Sequence, residues 1–492
     1  MKSKQIFKLL ASAAAVSAGL LGLAGQAQAD VQIIINNINA AGVGFNDTTP
    51  VDPVGGNTGT TLGEQRLIAF TYAANLWGKS LTSPVPIYIN AQFSALTCTA
   101  TSATLGSAGT TSVFRDFANA PKAGTWYSYA LANKLAGAYL GTANAAQINA
   151  NFNINLGKTG CLDGQPFYLG LDGNHGPSAV DFIATLQHEM GHGVGFQTFT
   201  SGSTGNQQGY VNASNPGYPS VWDHYLMGSA TGKLWKDMTA AERVASAISV
   251  DKLVWTGSNV TTLAPQVLRV GVPKATITGS AAGTAAGLYA TGEASFGPSV
   301  ADAPKSGTLM PIVPTSTADT SAIGLSLGCD PLTGNNAKAA QGNIVLISRG
   351  SCNFAVKARN AQDAGAIGVL IVNNAAGVAG MSGADAALVI PTLMIDQTVG
   401  ANLLAKLATR SRTSSGVQAT MALSGTQLAG ADALGRLMMY VPNPFVSGSS
   451  VSHFDTTATR NLLMEPAING DLTQSVIPPF DLTLPLLKDI GW

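Results

Sequence analysis

Charge is scarce in this chain. Asp, Glu, Lys and Arg make up 11% of its 492 residues, with 26 basic against 26 acidic groups and a formal net charge of zero. A nucleic-acid binder needs clustered Lys and Arg to neutralise phosphates, so that class of partner is excluded. Zero net charge also leaves no strong field to steer a charged ligand. Apolar runs long enough to cross a bilayer are missing beyond the N-terminus, so no membrane span is expected. No D-x-D-x-D-G loop is present, which leaves calcium binding undetermined. Cysteine is limited to Cys98, Cys161, Cys329 and Cys352. None of them forms a C-x-x-C pair, which argues against a thiolate zinc site. Histidine is limited to His175, His188, His192, His224 and His453.

The N-terminus reads as an export signal. Lys2, Lys4 and Lys8 precede an apolar stretch from Leu9 to Leu23, and Gln26-Ala27-Gln28-Ala29 ends in an A-x-A site. Residues 1–29 are therefore expected to be a signal peptide, cleaved before Asp30. That places the mature protein outside the cell or in the periplasm. In an oxidising compartment four cysteines imply two disulfides. Three pairings exist; proximity favours Cys329 with Cys352, which leaves Cys98 with Cys161.

The richest segment is His188-Glu189-Met190-Gly191-His192-Gly193-Val194-Gly195-Phe196. It matches H-E-x-x-H, in which two imidazoles one helical turn apart grip one zinc ion. Glu189 then serves as general base toward a metal-activated water. The context is helical. Ser178-Ala179-Val180-Asp181 fits an S-x-x-D helix start, with Pro177 before it. On a helix counted from Phe182, residues Phe182, Ile183, Leu186, Met190 and Val194 share an arc of roughly 120°. His188 and His192 fall together on the other side, with Glu189 beside them. Gly195 is placed to turn the chain by a positive φ.

Elsewhere the pattern predicts a helix over Glu64 to Lys79, strands over Val85 to Phe93 and Phe167 to Leu171, and helices over Asp223 to Leu226 and Met238 to Ile248. The final segment, Leu484 to Trp492, reads as a short helix and turn. From about residue 259 the composition shifts toward Val, Thr, Ala and Gly. Gly342 to Phe354 gives a buried strand, a turn and a cysteine. Lys357 to Gly365 reads as a helix, and Ala366 to Asn373 and Thr392 to Ile395 as further buried strands. This stretch resembles the protease-associated (PA) domain, through Arg349-Gly350-x-Cys352-x-Phe354, Lys357, Ala364-Gly365-Ala366 and Asn373-Asn374. The resemblance implies a domain without catalytic residues of its own that recognises protein or peptide substrates, or acts as a lid.

A catalytic zinc site takes a third protein ligand. The compact pattern H-E-x-x-H-x-x-G-x-x-H would put it at 198, where this chain has Thr198. His453 is the preferred candidate and His224 the competitor. Glu465 is a further alternative, and His175 reads as a solvated loop residue. Asp455 is the expected polar partner that orients His453 or a neighbouring strand. The H-E-x-x-H-x-x-G-F stretch, His453 and Met464 resemble the metzincin zinc peptidases, in the leishmanolysin-like arrangement where an insertion separates the glycine from the third histidine. The resemblance makes Met464 the methionine turn beneath the metal.

The expected fold is α+β: a zincin/metzincin-like catalytic domain, residues 30–258 and 426–492, with an inserted α/β PA-like domain at 259–425. The expected function is that of a secreted endopeptidase with one catalytic Zn²⁺ on His188, His192 and His453, and Glu189 as general base. An exported binding or adhesion protein with a non-catalytic zinc site stays open, as does an exopeptidase.

Overall fold

The computed structural model describes residues 30–492 apart from 177, 213, 382, 384, 386, 470 and 471. The expected signal peptide and Pro177 lie outside the described residues. Thr61 opens helix α1 (Leu62–Ser80). Its hydroxyl accepts the Glu64 N–H at 3.2 Å, and the Glu64 carboxylate accepts the Thr61 N–H at 3.1 Å. Both atoms of the capping box satisfy donors that the first helical turn leaves unpaired.

Strands β1 (Ile33–Asn37), β2 (Ile87–Ser94), β3 (Gly106–Thr110) and β4 (Ile148–Asn153) form one sheet in the order β1-β2-β4-β3. The first three in that order run parallel, and β3 closes one edge antiparallel to β4. Alternation sets the faces. Ile87, Ile89, Ala91 and Phe93 of β2 and Ile148, Ala150 and Phe152 of β4 are buried. Phe93 and Phe152 meet Phe182 at ring separations of 5.6 and 5.3 Å. Burying each ring contributes roughly 1.5–3 kcal/mol, and together they seat the motif helix on the sheet.

That helix, α2, spans Phe182–Val194. Its cap is Asp181, not Ser178: the Asp181 carboxylate accepts the N–H groups of Ile183 at 2.7 Å and Ala184 at 3.2 Å. The start is displaced because Val180 and Asp181 are extended, paired with Phe167 and Tyr168. The strand expected over Phe167 to Leu171 shrinks to those two residues. Gly195 ends α2 with φ +127°. Gly191 and Gly193 serve close packing. A Cβ on Gly193 would sit 2.6 Å from Ile148, and one on Gly191 2.8 Å from the Met464 sulfur.

After α2 the chain turns irregular. The helix expected over Asp223 to Leu226 is a single 3₁₀ turn, Trp222–His224, followed by a strand at Leu226–Gly228. The next expected helix is found at Ala240–Ser246. Helix α3 (Ser258–Val267) buries Val260, Ala264 and Val267 in the same core as the first sheet. Residues 259–267 were expected in the insert. They pack here because their apolar face meets the closing helix of the chain.

A second sheet follows, built from β5 (Val270–Thr278), β6 (Gly287–Ala290), β7 (Gly292–Glu293), β8 (Lys305–Pro311), β9 (Ile344–Ser348), β10 (Gly368–Val372), β11 (Thr392–Ile395) and β12 (Gln418–Leu428). Its order is β6-β5-β12-β8-β9-β10-β11-β7. Strands β8 to β11 run parallel, and β9 and β10 are buried at every position. Helices α4 (Phe354–Asp363) and α5 (Gln397–Lys406) cover it. Parallel strands covered on both faces require such continuous apolar runs. Two core clusters lie wholly within residues 275–421. The largest cluster draws instead on both ends of the chain, Val31 to Leu268 and Ala431 to Ile490. Helix α6 (Thr483–Ile490) closes it, and the Trp492 indole donates to the Val194 carbonyl at 2.9 Å. No helix among the described residues is long and apolar enough to cross a membrane. Disulfides join Cys98 to Cys161 and Cys329 to Cys352, the pairing that proximity favoured.

Candidate metal centre

Helix α2 places His188 and His192 one turn apart, and the loop after Ser449 brings His453 to them from 261 residues further along. The three Nε2 atoms are 3.2 Å (188–192), 3.2 Å (192–453) and 3.3 Å (188–453) apart. Two ligands at about 2.0–2.1 Å from a tetrahedral zinc are about 3.3 Å from each other. All three edges of this triangle match that spacing.

Hydrogen bonding to the other ring nitrogens fixes the tautomers. His188 Nδ1 meets the Leu463 carbonyl at 2.7 Å, His192 Nδ1 the Phe196 carbonyl at 2.8 Å, and His453 Nδ1 the Ser449 carbonyl at 2.8 Å. A carbonyl oxygen only accepts, so each Nδ1 must carry the hydrogen. Each Nε2 of a neutral ring is then a bare lone pair. Three lone pairs aimed at one point repel unless a cation lies between them, so the donor set fits zinc. Burial acts the same way. It pushes His188 down to about 4 and His192 to about 3, and His453 well below its ordinary value, with the neighbouring imidazoles adding to the effect at His192 and His453. Neutral imidazoles are the form that binds metal.

Glu189 is 8% exposed. Burial pushes its carboxyl up to about 8, opposed by a hydrogen bond from the Ala108 N–H of β3. Met464 is buried under α2, with its sulfur against Gly191, and its carbonyl accepts the Phe454 N–H at 2.8 Å.

Three residues considered from sequence lie elsewhere. His224 is half-buried, with Nε2 3.1 Å from the Thr125 hydroxyl. His175 turns Nδ1 to the carbonyls of Gly176 and Ala179. The Glu465 carboxylate folds back onto the Leu462 N–H at 2.7 Å. Asp455 does not orient His453. His453 Nδ1 is taken by the Ser449 carbonyl and its Nε2 faces the other two histidines, while the Asp455 carboxylate is held by the Thr457 N–H and hydroxyl at 2.9 and 2.6 Å. A short turn captures it before it can reach the ring.

Two buried aspartates that sequence reasoning passed over do the supporting. Asp481 accepts the Leu463 N–H and the Thr483 N–H, both at 2.6 Å, and so anchors the residue whose carbonyl orients His188. Asp223 accepts the hydroxyls of Thr198 (2.7 Å) and Thr200 and the Ser220 N–H (2.9 Å). Thr198 in turn donates its N–H to Ser452 at 3.3 Å, beside His453. The residue at the compact third-ligand position is thus a strut between the two segments that carry the histidines. Asp223 adjoins His224, and that adjacency was the only sequence signal near it.

Comparison with known proteins identifies one part of the chain. Residues 307–403 match the PA domain family, so a PA domain is present within the second sheet. Over 49 residues the chain is 53% identical to ER degradation-enhancing alpha-mannosidase-like protein 3 of Homo sapiens. Over 90 residues it is 37% identical to Signal peptide peptidase-like 2 of Arabidopsis thaliana. These matches cover 10% and 18% of this chain, and 5% and 16% of those proteins. Among solved structures it is similar to an aminopeptidase from Aneurinibacillus sp. strain AM-1, with TM-score 0.22, 22% identity and coverage of 33% of this chain and 32% of that one. It is also similar to BSAP, a zinc aminopeptidase from Bacillus subtilis, with TM-score 0.21, 22% identity and coverage of 32% and 31%. Overlaps this small say nothing about the metal centre.

Proposed function

We propose that the protein is a secreted zinc-dependent endopeptidase of the metzincin type, with the PA domain inserted in its catalytic domain. The observation that carries this reading is the triangle of three Nε2 lone pairs, each fixed by a carbonyl behind its ring. His188, His192 and His453 would hold the ion, and Met464 packs beneath them. Bound there, zinc supplies Lewis acidity, which acidifies water and polarises a substrate carbonyl. Glu189, ionised when the adjacent cation offsets the burial that raises its carboxyl, would take a proton from the attacking water and pass it to the leaving amine. A general base is of no use to a purely structural metal site, which counts against the binding-protein alternative.

Strand β3 supports internal cleavage. It is the edge of its sheet, and Glu189 meets the Ala108 N–H on it. An exposed edge pairs with an extended peptide through main-chain hydrogen bonds, independent of where that peptide ends. The PA domain is assigned to substrate recognition.

The test uses the mature protein, zinc analysis and casein. One zinc per chain and casein cleavage are expected, with Glu189→Ala keeping the metal while cleavage falls by about 10²–10⁴-fold. Retained zinc with no cleavage by either protein would instead indicate a binding protein. Trimming of free but not of blocked peptides would indicate an exopeptidase.

A further inference from the structure

The face of the first sheet turned away from α2 is lined by amides in register. Asn36, Asn90 and Asn149 are directly paired across β1, β2 and β4, and the next position in that row, on β3, is Gly109. The neighbouring row reads Gln92, Asn151, Ser107. In the first row Asn36 donates through Nδ2 to Asn90 Oδ1, and Asn90 through Nδ2 to Asn149 Oδ1, each at 3.3 Å. The series therefore points toward β3 and stops at Gly109, where an added Cβ would meet nothing within 4 Å. A cavity of about 410 Å³ lies over this ground, lined by Asn90, Gln92, Ser107, Thr110, Asn149 and Asn151 among others. No charged residue lines it.

The backbone of β3 faces two ways. Leu105 and Thr111 hydrogen-bond to Asn153 and Gln147 beside β4. By antiparallel alternation Ser107 and Gly109 do likewise, and Gly106, Ala108 and Thr110 turn their backbone groups away from β4, where the Ala108 N–H meets Glu189 and the other groups face the edge. A peptide strand added there would place alternate side chains on the Glu189 side and on the amide side. Strand spacing puts that peptide about 10 Å from β4. A glutamine amide extends roughly 5 Å from its backbone, and Asn149 covers most of the remainder, which brings the two amides to hydrogen-bond range across Gly109. A shorter side chain falls short. An apolar one offers these half-exposed amides no hydrogen bond, and a carboxylate finds no cation in the lining.

We propose that this amide-lined face is a specificity subsite that selects glutamine in the substrate, with Gly109 as the opening that admits it. The proposal rests on the peptidase reading for its substrate, but its test does not depend on cleavage. Blocked decapeptides with Gln, Glu, Leu or Ala scanned through each position are measured for cleavage and, by fluorescence anisotropy, for binding. At one or two positions Gln should exceed Leu and Glu by about tenfold, equivalent to one well-made hydrogen-bond set. Gly109→Val and Asn149→Ala should each erase that preference while the all-Ala peptide keeps its own values within about twofold. A profile flat for Gln, equal binding of Glu, or a preference that survives both substitutions overturns the subsite. A Gln preference in binding without any cleavage supports the subsite and overturns the peptidase reading.

Discussion

Both halves of this molecule bury ionisable groups, and they treat them in opposite ways. In the PA domain Lys357 is fully buried, and its ammonium donates to the Leu327 carbonyl and, at 2.6 Å, to the Gly350 carbonyl, beside the Cys329–Cys352 disulfide. Donors meet acceptors, so the buried charge ties two loops together and calls for nothing further. In the other half two buried imidazoles, His188 and His453, and the half-buried His192 turn their acceptor nitrogens toward one another. Three acceptors facing one point add nothing to the fold's own stability, because they repel one another unless a cation joins them. The contrast separates architecture from a site more sharply than burial or a perturbed pKa does, since burial pushes the Lys357 ammonium down to about 8 just as it lowers the histidines.

The strongest way to break the contrast is to remove one corner of the triangle. His453→Ala should abolish stoichiometric zinc and hydrolysis together, whereas His224→Ala keeps both, because His224 turns its Nε2 to the Thr125 hydroxyl and away from the triangle. Zinc analysis after dialysis checks this, and retention of metal by His453→Ala would reassign the third ligand. A smaller effect is expected behind the ring. Asp481→Ala frees the Leu463 N–H and loosens the carbonyl that orients His188. Loss of such outer support weakens metal binding about 10–100-fold. Competition with a chelator measures it. Asp481→Asn, which keeps one acceptor, should recover part of the loss, and an unchanged affinity in both variants would reduce Asp481 to a structural role.

How much of this was readable from the letters differs between ligands and supports. His188, Glu189 and His192 were legible because helical periodicity ties their spacing to one face. Counting left His175, His224 and His453 as candidates, and His453 was singled out by the resemblance to metzincins, with Met464 downstream of it. The buried strands of the insert, Ile344–Ser348 and Gly368–Val372, were legible because parallel strands cannot hide their composition. Asp481 and Asp223 were not. A buried aspartate that accepts backbone N–H groups follows no spacing rule; its partners are fixed by where distant loops come to rest. Asp455 looked the better candidate because it is close to His453 in sequence, and that same closeness lets Thr457 claim it. Ser178 misled for a related reason: its capping pattern is local, while the pairing of Val180 and Asp181 with Phe167 and Tyr168 is not.

The mildest prediction for catalysis tests the other side of the contrast. Lys357→Met keeps the length and apolar stem of the side chain and deletes its donors. The Leu327 and Gly350 carbonyls would then be buried without this partner, at a cost of roughly 1–3 kcal/mol for a group left unsatisfied. That loss should appear as earlier thermal unfolding and as faster proteolysis within residues 307–403, the PA match. Zinc content and peptide hydrolysis should stay at wild-type values, because both core clusters of the insert are separate from the one that carries α2. If Lys357→Met instead released zinc, the two halves would share one stability. The metal centre would then depend on the insert for its shape, and the distinction between a self-sufficient clamp and an expectant triangle would lose its meaning.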